Sequence, residues 1–540
     1  MTRAFGTTAG ALLASAAMAW APVAQAKDRY VAPYVELGQA VVADLSGPND
    51  DVVTYTSVAA GIDAGVQTRN AEGQISYRYE HRFSWDDRYS DEDIHSGLAR
   101  ISTKLAPGIA FDAGGIATRT RSDIRGAAPG NLFGNADNLT QVYSAYLGPT
   151  VSTRAGPFDV GGSYRFGYTH AEASSDAGRL PGEPRLDSYN EATNHLAQAS
   201  IGVPVGRVAP FGVTLSGAYE REDAHQLDQK YEGYYGRGDV VVPVSPTVAL
   251  RAGVGYEKIK ATQRDALLDA NGAPVTDSGG RYVTDPNSPE RIAYNTDGLI
   301  YDAGVIWRPN PRFELQANAG YRYGGETYFG SLRWQTSRDS GIQVRVYDSI
   351  ESFGRQLRDG LSSMPLQFQT SVNPFGTQFA GCVFGANPGT GGAGRCFDDV
   401  FQSISTANYR ARGIDAVYSF TRGRSSWGLG GGYVNRKLYA PDFGDGIRID
   451  GIEDESAYAQ LFWARRLSRV SSLDVNLYGN WYSSGLLGSQ DVWGGGATAT
   501  YGHNFGRLGT GLSAGIFAYD QGDLDTQVSA QALVNARYTF

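Results

Sequence analysis

Thr526-Gln-Val-Ser-Ala-Gln-Ala-Leu-Val-Asn-Ala-Arg-Tyr-Thr-Phe540 decides how the rest of the chain is read. Taken as a strand, it places every second side chain on one face. Val528, Ala530, Ala532, Val534, Ala536, Tyr538 and Phe540 share one face, and Gln527, Ser529, Gln531, Leu533, Asn535, Arg537 and Thr539 share the other. A strand that is apolar on one side, polar on the other and aromatic at its end suits a wall between lipid and water. The edge strand of a soluble β-sandwich fits the same short pattern, so the remainder of the chain has to choose between them.

Working outward, the alternation recurs from Tyr30 onward. In Gln74–Phe83 the apolar face is Ile75, Tyr77, Tyr79, His81 and Phe83; in Phe313–Tyr323 it is Phe313, Leu315, Ala317, Ala319, Tyr321 and Tyr323. Leu473–Tyr482 sets Leu473, Val475, Leu477 and Trp481 against Asp474, Asn476, Tyr478, Asn480 and Tyr482. Strict alternation over about ten residues matches a tilted membrane strand. Short turns at Thr68–Asn70, Ala106–Gly108, Arg154–Pro157, Val205–Ala209, Ser245–Thr247, Arg308–Pro311, Ser337–Ser340, Thr421–Ser425, Ser468–Arg469 and Gly506–Gly509 take turns with longer connections. The longest of these are Arg121–Asn138, Ala171–Ser188, Thr262–Glu290, Gly354–Gln402 and Ala440–Ile452. A sandwich has no reason to separate the two kinds, whereas an outer-membrane barrel puts tight turns in the periplasm and long loops outside. The expectation is an all-β fold: one antiparallel transmembrane barrel over residues 27–540, of about 22 strands within a range of 18 to 24.

Composition agrees. Glycine, at 70 of 540 residues, and 33 tyrosines suit tight turns and half-buried pleated surface. A mean hydropathy of −0.32 excludes a helical bundle in lipid but not a barrel, in which only alternate residues meet hydrocarbon. Arg3, the apolar run Ala11–Trp20 and Ala24-Gln25-Ala26 read as a signal peptide cleaved near Ala26. No other stretch approaches the roughly 18 apolar residues of a helical span. Losing Arg3 takes the formal charge from −9 to −10, which argues against a nucleic-acid partner. The first strand begins within a few residues of the cleavage site, leaving no room for an N-terminal plug.

A barrel this wide needs something to narrow it, or passes something large. The candidate constriction is Phe353–Gln402. Ile350, Phe353, Leu357 and Leu361 fall at helical spacing, broken by Gly354, and a short helix folded inward would present Arg355 and Arg358 to passing solute. The same segment carries Cys382 and Cys396, which in an exported protein pair most simply as a disulfide. Arg78, Arg82, Arg165, Arg251, Arg322, Arg345 and Arg537 recur on polar faces and are the candidate lumen lining. They would bind anionic or hydroxyl-rich solute, or merely pair with Glu80, Glu314 and Asp474 across the lumen. Asp86-Asp87 and Asp91-Glu92-Asp93 fall in an expected outer loop, where they bridge divalent ions or are simply solvated. No catalytic, cofactor or metal pattern stands out, and the six histidines are scattered.

Tyr538 and Phe540 resemble the C-terminal signal that outer-membrane barrels present to the barrel-assembly machinery. Pro33-Tyr34-Val35-Glu36, Asp50-Asp51-Val52-Val53-Thr54-Tyr55, Ile75-Ser76-Tyr77-Arg78-Tyr79-Glu80, Ser96-Gly97-Leu98-Ala99-Arg100 and Ala117–Arg125 carry a second likeness. They resemble the outer-membrane β-barrels associated with exosortase (PEP-CTERM) and exopolysaccharide gene clusters. That resemblance implies export of an exopolysaccharide, with outer-membrane lipid, lipopolysaccharide, polysaccharide and periplasmic export components as partners. It supplies no functional residues. Porin-type uptake of small solutes and a closed structural or adhesive barrel are the alternatives.

Overall fold

The pattern of alternate apolar residues produces a long run of antiparallel strands. The wall begins with β1 (Arg29–Ser46), β2 (Val52–Gln67), β3 (Ala71–Ser84), β4 (Glu92–Ala106), β5 (Ile109–Arg121), β6 (Leu139–Ala155), β7 (Phe158–Ala171) and β8 (Glu191–Val203). It continues through β9 (Gly212–Ala224), β10 (Gln229–Pro243), β11 (Val248–Gln263), β12 (Arg291–Asn310), β13 (Phe313–Arg322), β14 (Gly325–Ser337) and β15 (Ser340–Glu351). A helix, α1 (Phe353–Ser363), and three short strands follow: β16 (Phe368–Gln369), β17 (Cys382–Gly385) and β18 (Gly394–Cys396). The wall then resumes with β19 (Asn408–Arg422), β20 (Ser425–Tyr439), β21 (Glu453–Arg466), β22 (Ser471–Ser484), β23 (Val492–Phe505), β24 (Leu508–Gln521) and β25 (Gln527–Thr539). This computed structural model describes residues 29–46, 52–87, 90–123, 139–172, 187–369, 375, 381–389, 392–397, 400–401, 404–441, 449–522 and 525–540. The expected signal peptide, 1–26, lies outside the described residues.

Twenty-two strands form one sheet, and β25 pairs back onto β1 from Tyr34–Thr539 to Ser46–Val528. The ring is therefore closed, which leaves no sheet edge to satisfy in lipid. Its polarity is inverted relative to a soluble protein. On β25, Val534 is 59% exposed and Gln531 5%; on β3, Ile75, Tyr79 and Phe83 face out while Gln74, Glu80 and Arg82 are buried inside. Near one rim the outer surface carries an aromatic belt, with Trp307 against Phe313 at 4.9 Å and Trp427 against Trp463 at 5.4 Å between ring centroids. An apolar outer band edged by aromatics is the surface of a transmembrane β-barrel.

That rim also collects the short connections β2–β3, β4–β5, β6–β7, β8–β9, β10–β11, β12–β13, β14–β15, β19–β20, β21–β22 and β23–β24. Gly108 and Gly506 occupy two-residue turns there at φ 78° and 70°, a conformation that L side chains adopt reluctantly. The longest connections all fall on the other rim, including the one from β15 to β19 that carries α1 and β16–β18, and that rim also holds the two-residue turn Tyr323–Gly324 between β13 and β14. In transmembrane barrels the short-turn rim is periplasmic and the other extracellular.

Candidate functional site

The connection from β15 to β19 folds into the lumen and fills one side of it. Ser352 starts it as a helix N-cap, its Oγ accepting from Arg355 N at 3.3 Å. Phe353, Leu357 and Leu361 then form one apolar stripe of α1. They are fully buried against Leu98, Ile116, Val142 and Tyr146 of the wall. Arg100 of β4 donates to the carbonyls of Leu361 and Met364, placing a cation at the helix C-terminus. Further on, Gln367 Nε2 donates to Val66 O and Gly73 O, at 3.2 and 3.1 Å, beside the β2–β3 turn. The segment thus reaches the periplasmic rim. Phe375 packs edge-on to Phe517 at 6.3 Å, and β16–β18 form a small sheet of their own.

Cys382 and Cys396 are joined, at an S–S distance of 1.98 Å, and face each other across β17 and β18. The hairpin they close lies on β20, where the inward-facing residues are Gly428, Gly430 and Gly432. A Cβ on Gly428 would meet Phe384 at 2.5 Å, and one on Gly430 would meet Cys382 Sγ at 2.3 Å. Glycine is needed here because the plug touches the backbone of the wall.

Three expectations for this segment need correction. Ile350 belongs to β15, opposite Arg410, and not to the helix. Gly354 does not break α1. It lies in its first turn, where a Cβ would come within 2.4 Å of Tyr189 Oη. Arg355 and Arg358 are not presented to solute, because both point at the wall, with side-chain exposures of 0% and 1%. Arg355 Nε meets Glu222 Oε2 at 3.0 Å and its guanidinium lies 3.4 Å from the centre of the Tyr231 ring. Arg358 Nη2 meets Glu220 Oε1 at 2.6 Å, and Nη1 donates to Asn194 Oδ1 at 3.2 Å. The two arginines clamp the helix to β8, β9 and β10.

The extracellular end of the plug is tied to two loops through Asp187. Its Oδ1 accepts from Tyr282 N at 2.9 Å, its Oδ2 from Gln226 Nε2 at 2.6 Å, and its carbonyl from Thr406 N at 3.2 Å. Arg281, in the loop between β11 and β12, reaches Ala171 O and Tyr189 O, and burial holds its guanidinium below its ordinary value. The same loop is built on an eight-residue recurrence, Asp269, Asp277 and Asp285. Each of these carboxylates accepts the N–H two residues on, and in the first two also the N–H four residues on. The amides of Ala273 and Asn271 hold the Asp269 carboxyl below the usual range.

All seven arginines singled out from the sequence lie on the inner face of the wall, and each is ion-paired. Arg78 meets Glu36 at 2.8 Å, Arg82 meets Glu80 at 2.9 Å, and Arg165 meets Asp112 at 3.0 Å. Arg251 meets Asp239 at 2.9 Å, Arg322 meets Glu257 at 2.7 Å, Arg345 meets Asp415 at 3.1 Å, and Arg537 meets Asp63 at 3.5 Å. Four of these partners lie on the next strand but one, so that the arginine reaches across the strand between; Asp239 and Asp415 lie on the adjacent strand, and Glu80 shares β3 with Arg82. Of the three acids named from the sequence, Glu80 holds Arg78 and Arg82, and Glu314 holds Arg308 at 3.0 Å. Asp474 has no described arginine partner. Glu92 and Asp93 open β4 instead of lying in a loop, and Glu92 turns inward onto Arg119 at 2.8 Å. Among the described residues no His, Cys, Asp and Glu group is placed to hold a metal ion.

The plug covers the inner faces of β1–β9 and β19–β25, touches β10 where Arg355 lies over Tyr231 and the short-turn ends of β14 and β15 through Pro388 and Gly389, and leaves the remaining inner face of β10–β15 bare. A cavity of about 420 Å³ lies along that bare side, lined by Arg237, Arg251, Asn318, Arg322, Thr327, Arg345 and their neighbours. It reaches a seam where β14 and β15 part company, since their pairing stops at Gly330–Val346 although both strands run on. Above the seam Arg410 and Arg412 of β19 both donate to Glu326 O, at 2.9 and 3.1 Å, and Asp348 holds Arg410 at 2.7 Å.

Glu220, Glu222, Arg100, Asp187 and the inward glycines of β20 were not singled out from the sequence. Only the glycines left a readable signal. Trp427-Gly-Leu-Gly-Gly-Gly-Tyr433 has glycine at every inward position of a strand, which marks a close approach.

No protein-family model matches the chain, and no curated protein matches it. Among solved structures it is similar to the alcaligin outer-membrane receptor FauA from Bordetella pertussis, at 10% identity over 94% of this chain and 76% of that one, with a TM-score of 0.39. It is similar to the FrpB iron transporter from Neisseria meningitidis, at 10% identity over 94% and 82% with a TM-score of 0.42. FpvA of P. aeruginosa in complex with a heterologous pyoverdine gives 11% identity over 94% and 71% with a TM-score of 0.43. These are distant likenesses of shape, and no ligand passes from them to this chain.

Proposed function

We propose that the chain is an outer-membrane channel for a hydrophilic solute, narrowed by its own Ser352–Ala407 segment, and that its task is to export an exopolysaccharide. The observation that carries the channel reading is the divided lumen. A structural barrel has no need of an inner side left bare and lined with paired charge, amide and tyrosine side chains. A plug held mainly by side-chain contacts, on a stalk tied at Asp187, is an element that moves without breaking the wall. Width favours a large solute, since a 22-strand ring exceeds what small solutes need. The likeness of the first strands to barrels of exopolysaccharide clusters turns that solute into a polysaccharide strand. On this reading Tyr538 and Phe540, which close the chain beside β25, address the barrel-assembly machinery, and the outer apolar band meets lipid and lipopolysaccharide.

Loss of the gene should lower surface polysaccharide while growth on small sugars stays unchanged. A strain that keeps its polysaccharide and grows poorly on one nutrient would make the protein a porin. A strain changed in neither, but altered in adhesion, would make it a surface barrel.

A further inference from the structure

We infer that the bare side of the lumen is a recognition stripe for a polyanion, a solute bearing carboxylate, phosphate or sulfate groups. This rests on the channel reading and names its substrate class. Four ion pairs build the stripe: Arg237 with Asp302 at 2.7 Å, Arg251 with Asp239 at 2.9 Å, Arg322 with Glu257 at 2.7 Å and Arg345 with Asp415 at 3.1 Å. In formal charge they cancel, and a lining that only neutralises itself would stop there. Their arrangement is not symmetric. The arginine side chains are 14, 22, 30 and 33% exposed, and the acids beside them 4, 10, 2 and 8%. The acids lie in the wall and the guanidiniums stand in front of them, so a solute in the cavity meets N–H donors.

The forks are also held flat. A Cβ on Gly253 would fall 2.1 Å from Arg237 Nη2, so the missing side chain lets this guanidinium lie across β11 to reach Asp302 on β12. Arg322 lies 5.7 Å from the centre of the Tyr235 ring and 4.4 Å from that of Tyr323, and Arg345 4.7 Å from that of Tyr347. Planar forks fixed by rings and backbone, each engaged at its rear by a carboxylate, are preorganised to receive an oxyanion at the front. On the plugged side the wall arginines Arg82, Arg78, Arg537 and Arg165 are 2, 12, 12 and 15% exposed, and Arg355 and Arg358 of the plug at most 1%, so only Arg251, Arg322 and Arg345 of the stripe exceed that range.

The test uses the full-length protein in detergent and equilibrium binding, which does not require the plug to open. The probes are trigalacturonate and the neutral maltotriose. Trigalacturonate should bind at least about tenfold tighter than maltotriose, with an affinity that falls as salt rises. The variant R251Q/R322Q/E257Q should lose about tenfold in trigalacturonate affinity and leave maltotriose unchanged. It strands no buried charge, because Asp239 keeps Arg237 at 2.6 Å and Glu257 is neutralised together with its partner. A heat-dependent gel shift confirms that it has folded. Equal binding of the two sugars, or a variant that binds trigalacturonate as before, overturns the inference. Failure of the export reading shows separately, in the surface polysaccharide of the null strain.

Discussion

The two sides of the lumen are made of the same residues and do opposite things. On β1–β9 and β19–β25, joined by Tyr231 of β10, arginine, carboxylate and tyrosine side chains grip a folded segment of the chain itself; on most of β10–β15 they face a cavity. Residue type does not separate them. The presence of a partner does: α1 brings Phe353, Leu357 and Leu361 to an inner wall that offers Leu98, Ile116 and Val142, and the cystine hairpin finds the glycines of β20. The bare side has inward glycines too, at Gly253 and Gly304, but neighbouring polar side chains, Arg237 and Asn318, occupy the space they leave. A lumen wall thus becomes a plug seat where apolar or absent side chains face inward, and a solute path where polar side chains fill the gaps.

Replacing Met364–Ile404 by a short flexible linker should erase the difference between the sides. Single-channel conductance in planar bilayers should rise severalfold and cells should become sensitive to large antibiotics; unaltered conductance would mean the segment closes nothing. Arg355→Ala should unseat the helix at a cost of about 3–5 kcal/mol, because it leaves the buried Glu222 without its cation. The readout is the open probability of the channel, and a variant that stays as closed as the parent would place the clamp elsewhere. Replacing Cys382 and Cys396 by serine should loosen the hairpin by at most roughly 3 kcal/mol, as the 14-residue separation allows. Proteolysis of intact cells should then cut between β16 and β19, whereas the parent resists. Gly430→Val should cost about 1–3 kcal/mol of hairpin seating through overpacking against Cys382. It should be visible as faster reduction of the disulfide by an added thiol, and an unchanged reduction rate would show that the hairpin does not rest there.

Much of the wall was legible in the sequence, because one lipid-facing side makes alternation obligatory and a one-residue slip would turn every side chain over. Tyr538 and Arg537 fall on the faces read for them, and the ten short turns share one rim. The inward direction of Arg251 or Arg322 follows from the same parity. Their partners do not. Asp239 and Glu257 lie on other strands, and only the register across the sheet brings them within reach. Within the plug the sequence misled for a local reason. Gly354 looks like a helix breaker by propensity, but the contact with Tyr189 leaves room for nothing larger, and tertiary fit overrides a cost of about 1 kcal/mol. Arg355 and Arg358 looked solvent-directed because their acids, Glu220 and Glu222, are more than a hundred residues away in the chain. Glu92 shares a charge run with acidic neighbours, a pattern typical of loops, yet it turns inward because Arg119 is there to receive it.

The division of the lumen is tested most directly by thiol labelling of two single-cysteine variants in a C382S/C396S background. Asn318→Cys places the thiol in the cavity, and Val142→Cys places it beneath α1. With a membrane-impermeant maleimide on intact cells, the thiol at 318 should label at least about tenfold faster than the one at 142, whose exposure requires the plug to leave its seat. Equal rates at the two positions would contradict a lumen that is filled on one side and open on the other.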